Sequence, residues 1–439
     1  MPYSQVRRLV APLSLLSLLL LLLISGNHFA GAQDQPAGTT AASAVMPRQY
    51  VPVVMNRHYS QPPLPPPIAH TTTPPLDVQS LINSIPEPWQ LGLNKIGFHT
   101  GPNGNETGIG DWMRALDSAG IPFFLKSVDH AGTIYEAQET MKASGVPHTL
   151  VFRTTKWGNL GDNYDYDVPN YDLSPYEAAV IHWQAHKAKF PPELDPQLVW
   201  IETINEVDRG RSEWLAEFAL ETGQMALRDG YRWAAFGWSS GEPEKANWES
   251  PKMLEFLRFA AQHPDDIAIA LHEYSYDVKN IGAVYPYMIG RFQALFDVCD
   301  SYGIPRPTVL ITEWGWTHAK VPGPTEALSD ISWASYLYAT YPNVKGAAIW
   351  YLGGGFENIR NLTQPLIAPV TQFTLSNYYW VASGQGAIDA SLFPPPPPRA
   401  DLPEFPESSD PDSTTSPKLP PELRQETNPE YHPEDRRLH

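Results

Sequence analysis

The chain has 439 residues, a formal net charge of −18, 46 prolines, 14 tryptophans and one cysteine. Its acidity argues against nucleic acid or an anionic membrane surface as a partner, since both would be repelled. The lone Cys299 excludes an intramolecular disulfide and reads as a small buried hydrophobe rather than a nucleophile. At 42% hydrophobic residues a sizeable core is possible; the prolines crowd the two ends, so one large domain with poorly structured flanks is expected.

Residues 1–32 read as an export signal: Arg7 and Arg8, an apolar run at 13–24, then Ala30, Gly31 and Ala32 as a small-residue cleavage site. The apolar run is shorter than the about 20 residues that span a bilayer. A secreted, extracellular protein is therefore expected, with cell-surface attachment through an uncleaved anchor as the alternative and no other membrane partner. Residues 33–88 form a Pro/Thr-rich linker by composition, expected to be extended or polyproline-like. Residues 393–439 open on a proline run and continue as an acidic Ser/Pro/Glu tail, expected to be disordered.

Between these flanks, residues 89–392 alternate strand-like and helix-like segments. Strands are predicted at 95–99, 123–129, 148–154, 198–206, 232–239, 267–275, 308–314 and 344–352. Helical periodicity marks 175–189, 212–228, 251–262, 285–302 and 325–340. Eight strands, each followed by a helical stretch, predict an α/β fold, a (β/α)8 TIM barrel. The rival, an open doubly wound sheet, would want a glycine-rich phosphate loop after the first strand, and residues 101–105 (GPNGN) lack the GxGxxG spacing.

Two runs carry the chemistry. VWIETINE (199–206) and VLITEWGW (309–316) are β-branched and apolar, and each reaches a carboxylate where a strand would hand over to a loop. Glu206 is expected to end the fourth strand and Glu313 the seventh, so the two would face each other across the bowl at the carboxyl end of the barrel. A sugar acetal needs that arrangement, one carboxyl to protonate the leaving oxygen and one to attack the anomeric carbon. Glu202 competes with Glu206 because strand alternation puts both on one face. At about 3.3 Å per residue it would lie roughly 13 Å deeper, out of substrate reach, as a satisfied interior residue.

With Asn205 beside Glu206 and Glu313 ending the seventh strand, the pattern resembles glycoside hydrolase clan A, the retaining (β/α)8-barrel β-glycosidases. His272, Glu273 and Tyr274 at the end of strand six are similar to the His-x-Tyr of the cellulase-like family 5 of that clan. Trp350, ending strand eight, stands where such enzymes carry a tryptophan under the sugar. Where family 5 places an arginine near the end of an early strand, Lys126 and Arg153 approximate it.

The resemblance implies Glu206 as acid/base, Glu313 as nucleophile, and Asn205 as the hydrogen-bond partner of the 2-hydroxyl. It also implies Tyr274 beside Glu313, keeping it ionised, and His272 on the sugar or the acid. Lys126 and Arg153 read as either structural ion pairs or cleft donors, and His99 as part of the floor. Trp157, Trp238, Trp314, Trp316 and Trp350 are expected to line a cleft where indole faces stack on sugar.

His182 and His186 lie four apart on a helix, but Trp183 stands where a metalloprotease needs Glu, so they read as a packed or solvated face. Neither metal nor cofactor is expected. The expected partner is a β-linked poly- or oligosaccharide, bound by a monomer. A non-catalytic carbohydrate-binding or surface-display barrel is the alternative.

Overall fold

The computed structural model describes residues 69–155, 167–318, 320–382 and 394–399. The predicted export signal, most of the linker, Trp157 and most of the tail lie outside the described residues.

Eight parallel strands close into a barrel in sequence order: β1 (Ile96–Thr100), β2 (Phe124–Val128), β3 (Thr149–Arg153), β4 (Val199–Glu202), β5 (Arg232–Trp238), β6 (Ile267–Tyr274), β7 (Thr308–Gly315) and β8 (Val344–Ile349). Strand β8 pairs with β1, through Ala347–Ile96 and Ile349–Phe98, to seal the ring. The closed strand order establishes the predicted (β/α)8 architecture.

The helices that follow each strand are α1 (Ile109–Ser118), α2 (Gly132–Ser144), α3 (Pro175–Lys189), α4 (Ser212–Asp229), α5 (Pro251–Gln262), α6 (Phe292–Ser301), α7 (Pro324–Ala339) and α8 (Ile367–Ser376). Their starts have local causes. Ser174 and Glu177 form a reciprocal capping box on α3 with Pro175 in its first turn, and α5 and α7 also open on proline.

The predicted helix over 285–302 is shorter than expected. Gly290 sits at φ +91°, so the chain turns there and α6 starts only at Phe292. Cys299 on α6 is fully buried, and burial pushes its thiol up to about 12. His182 and His186 of α3 are buried, their rings 4.3 Å apart.

The period of two along the strands builds the barrel interior in layers. The lower layer is apolar and mixes large with small: Phe124, Val151, Trp200, Ala234, Ala268, Ala270, Leu310 and Ala348. Gly97 belongs here because a Cβ on it would come 1.8 Å from the Phe124 carbonyl oxygen. Two residues further along five of the strands the interior turns polar. Phe124 is followed by Lys126, Val151 by Arg153, Trp200 by Glu202, Ala270 by His272 and Leu310 by Thr312, all buried.

Residues 69–88 depart from the linker expectation. His70–Thr71 pairs with Asn377–Val381, which pairs with Gln90–Gly92 in a three-stranded antiparallel sheet. A helix over Val78–Ser84 is capped by the Asp77 carboxylate on Ser80 N, and Leu76 is buried. Residues 394–399 of the expected disordered tail are likewise held. Arg399 bonds the carbonyls of Val278 and Glu326 and the Asp330 carboxylate, at 2.6, 2.9 and 2.5 Å.

Candidate active site

Strand β4 ends at Glu202, four residues earlier than predicted. The chain then turns, and Glu206 is presented from the loop in the left-handed region at φ +45°. Two contacts hold that turn: Glu206 N donates to the Gly237 carbonyl at 2.7 Å and Asn205 N to the Asp167 carbonyl at 2.9 Å. Gly237, itself at φ +56°, lets β5 approach closely; a Cβ there would meet the Ile204 carbonyl oxygen at 2.9 Å. The strand-rise estimate that sank Glu202 roughly 13 Å below Glu206 assumed an extended chain, and the turn removes that assumption.

On β7 a register slip does similar work. Leu271 pairs with Ile311 but His272 pairs with Glu313, so one residue of β7 is extra. Thr312 and Glu313, adjacent in sequence, therefore both turn to the interior groups. Thr312 Oγ1 donates to Glu202 Oε1 at 2.8 Å, and Glu313 is ringed by His272, Tyr274, Lys126 and Arg153.

The decisive distances converge on His272. Its Nδ1 lies 3.2 Å from Glu206 Oε1 and 3.5 Å from Glu313 Oε2. The two oxygens are therefore no more than about 7 Å apart. That ceiling admits the roughly 5–5.5 Å of a retaining pair and reaches only the lower edge of the roughly 6.5–9.5 Å of an inverting pair.

Glu313 accepts a hydrogen bond from Tyr274 OH at 2.8 Å on Oε2, while Lys126 Nζ and Arg153 Nη1 each approach Oε1 at 3.4 Å. Burial pushes its carboxyl up, but the facing His272, Lys126 and Arg153 outweigh burial and hold it well below the usual carboxylate range. Arg153 also hydrogen-bonds Asn205 Oδ1. Glu206 is the more open of the two, its side chain 25% exposed against 8% for Glu313.

His272 and Tyr274 contact this pair directly, Asn205 adjoins Glu206 in the chain, His99 lies close enough to Glu313 for their charges to interact, and Trp350 is linked to the pair through the Tyr274 ring. His99 is buried against Tyr351, ring centroids 5.0 Å apart, and neither ring nitrogen has a hydrogen-bond partner. Trp350 meets the Tyr274 ring edge-on at 6.2 Å and stacks on Tyr351 at 5.2 Å. Lys126 is wholly buried and is an ion-pair partner of Glu202 and Glu313; Arg153 pairs with Glu313 too, but at 9% exposed against 8% for Glu313 it is as open to the hollow as that carboxylate, so burial does not separate its two readings.

Trp314, Trp238 and Trp316 are corrections. All three are buried and cannot stack on a sugar in a cleft. With Glu313 turned inward, Trp314 next to it faces out of the barrel, edge-on to Trp316 at 5.2 Å, and Trp316 Nε1 donates to Asp330. Irregular backbone at Phe236 (φ +78°) and Gly237 sends Trp238 against Phe236 and Trp248.

The exposed aromatics near the site are Tyr276 and Phe356, 52% and 50% exposed, beside Tyr274 and Trp350 respectively. Glu242 was also missed. Burial pushes its carboxyl up to about 7, with Arg209 pulling it down and Glu206 pushing it further up. Tyr276 and Glu242 sit in loops and Phe356 opens a single 3-10 turn, Phe356–Asn358, too short for any periodicity to mark it.

No protein-family model matches the chain, and no curated protein matches it. Solved structures do match. A GH5-4 broad specificity endoglucanase from an uncultured bacterium is 10% identical, covers 65% of this chain and 98% of its own, with a TM-score of 0.32. A family 5 xyloglucanase from Paenibacillus pabuli is 13% identical over 64% of this chain and 98% of its own, TM-score 0.38. An endoglucanase from the hyperthermophilic Thermotoga maritima is 12% identical over 63% and 96%, TM-score 0.36.

Proposed function

We propose that the protein is a secreted, retaining β-glycoside hydrolase that cleaves poly- or oligosaccharides by double displacement. The observation that carries this reading is the single His272 nitrogen lying within 3.5 Å of both Glu206 and Glu313. It sets two carboxyls in one polar hollow at the carboxyl end of the barrel, in surroundings that differ in charge.

In the first step a Glu313 oxygen attacks the anomeric carbon as the glycosidic C–O bond breaks, and the Glu206 proton passes to the leaving oxygen. A glycosyl ester on Glu313 results. In the second step Glu206, now a carboxylate, takes a proton from water; the water oxygen bonds to the anomeric carbon and Glu313 departs. The cationic and hydroxyl partners of Glu313 favour its charged form, as a nucleophile requires. Asn205, held by Arg153, is the group for the 2-hydroxyl, and Trp350, Tyr276 and Phe356 supply apolar faces for the rings. Export through residues 1–32 belongs to the same reading, since polymeric glycans are met outside the cell.

The test is release of reducing sugar from a panel of β-glucans, xylans and mannans, with Glu206→Ala and Glu313→Ala as controls and proton NMR of the first-formed anomer. Turnover with retention, lost in both variants, is expected. A wild-type protein that binds these polymers and cleaves none would overturn the reading in favour of a carbohydrate-binding barrel; an inverted first product would overturn the double displacement.

A further inference from the structure

Beneath the carboxyl pair lies a charged group that the reaction scheme does not use. Glu202 is wholly buried and bonds only within the protein: Thr312 Oγ1 donates to Oε1 at 2.8 Å, and Lys126 Nζ stands 2.6 Å from Oε2. The same ammonium is 3.4 Å from Glu313 Oε1, and Arg153 Nη1 approaches that oxygen at 3.4 Å from another side. Two anions and two cations thus form a buried chain, Glu202–Lys126–Glu313–Arg153, with the ammonium drawn towards the deeper carboxylate.

We propose that Glu202 is a positioning residue for Glu313: by holding Lys126 at 2.6 Å it keeps the ammonium from closing on the nucleophile. This rests on Glu313 being that nucleophile. A buried carboxylate pinned by two close cations has its lone pairs committed to them, and attack on carbon must break those contacts. A carboxylate flanked by cations at 3.4 Å stays charged but is free to move onto the sugar. Without Glu202 the buried chain would hold two cations for one anion, and among the described residues the ion pair left to Lys126 is the one with Glu313. Glu202 acts through Lys126 and touches no reacting atom.

The test is a double-mutant cycle of Glu202→Gln, Lys126→Met and both together, read as kcat and KM separately and as the pH dependence of kcat/KM. The amide of E202Q keeps the shape of the side chain and an acceptor for Thr312. We expect E202Q to lose about 100-fold in kcat, the scale of a misplaced reacting group, with KM within about threefold because no substrate contact is removed. K126M should move the acid limb of kcat/KM to higher pH, since Glu313 loses a cation while Glu202 stays behind as a buried anion. The double variant restores one anion to one cation, so it should be more active than K126M alone.

An E202Q enzyme with wild-type kcat would overturn the proposal, as would a double variant whose loss is the product of the single losses. A crystal structure of E202Q decides the same point without any substrate. Lys126 Nζ should move to within about 3 Å of Glu313, and retention of the 3.4 Å gap refutes the idea. An inert wild type would sink the glycosidase reading, while that distance would still decide the geometry. If E202Q fails to fold, the charge-balanced double variant is compared with the wild type directly: it removes the restraint and the restrained cation together, so a kcat loss well short of about 100-fold supports the proposal and a loss of that size or more overturns it.

Discussion

Tyr274→Phe isolates the shortest contact Glu313 makes. The hydroxyl donates to Oε2 at 2.8 Å, while Lys126, Arg153 and His272 stand at 3.4, 3.4 and 3.5 Å. The ring should stay in place, since its edge-on packing against Trp350 does not involve the hydroxyl. A hydrogen bond to a charged group is worth about 1.5–3 kcal/mol and one to a neutral group about 1 kcal/mol. The difference, divided by about 1.4 kcal/mol per pKa unit, raises Glu313 by about one unit.

Glu313 is depressed in the folded state, so its ionisation contributes stability above the unfolded-state value near 4.3, lost as pH falls through the folded value. The variant should therefore be about 1.5–3 kcal/mol less stable at pH 7, and the gap should shrink to about 1 kcal/mol in acid once the carboxyl is protonated in both. The acid limb of kcat/KM should move up by the same unit or so. Urea unfolding at pH 7 and in acid, beside a pH–rate profile, measures both. A destabilisation of equal size at every pH, with an unmoved limb, would show that the hydroxyl only fills space and that Glu313 owes its charge to other groups.

Three other perturbations follow from the same contacts. Glu242→Gln removes a group that burial pushes up to about 7 and that interacts with Glu206; above that pH its charge favours protonated Glu206, so the basic limb of kcat/KM should move to lower pH in the variant, and an unmoved limb refutes the coupling. Glu273 accepts from Gly290 N, Tyr338 OH and Phe292 N, yet burial pushes it up to about 7. A raised carboxyl gives stability that is present below its unfolded value and lost as pH rises through the folded one, so the wild-type advantage over Glu273→Gln should shrink from pH 4.5 to 7 in unfolding titrations. Arg399→Ala leaves the buried Asp330 without its cation and should cost about 3 kcal/mol, seen as a lower Tm; an unchanged Tm would mean the 394–399 segment is not held by that pair.

Much of the barrel was legible because its signals are local and repeated. Ser174, Pro175 and Glu177 announce the start of α3, and its predicted span matches the observed one. The period of two carries Lys126, Arg153 and His272 to one interior layer. What failed to read were breaks in that period. VWIETINE looks like one eight-residue strand because nothing in Thr203, Ile204 or Asn205 announces a left-handed turn at Glu206, which is held by a carbonyl from another strand. The slip at Thr312 and Glu313 is a property of pairing with β6, invisible in β7 alone. Trp314 faces out because of that slip, since regular alternation from the inward Leu310 and Thr312 would have turned it in. Tryptophan density was a misleading guide, because most of these indoles pack between barrel and helices.

The assignment of roles within the pair turns on this asymmetry of surroundings. Glu313 grows out of a strand pinned on both sides and is ringed by His272, Lys126, Arg153 and Tyr274, each of which favours its charged form. Glu206 comes from a turn, is three times as exposed, and has the acidic Glu242 as a neighbour across the loop. Reversing the roles would require a proton to sit on the carboxyl that two cations oppose, and a nucleophilic charge on the one that faces another acid. Two carboxyls joined through one imidazole can divide acid from nucleophile only if their other neighbours differ in net charge, and here the strand-borne layer sets two cations, one of them shared with Glu202, beside Glu313, while the loop sets the acidic Glu242 near Glu206.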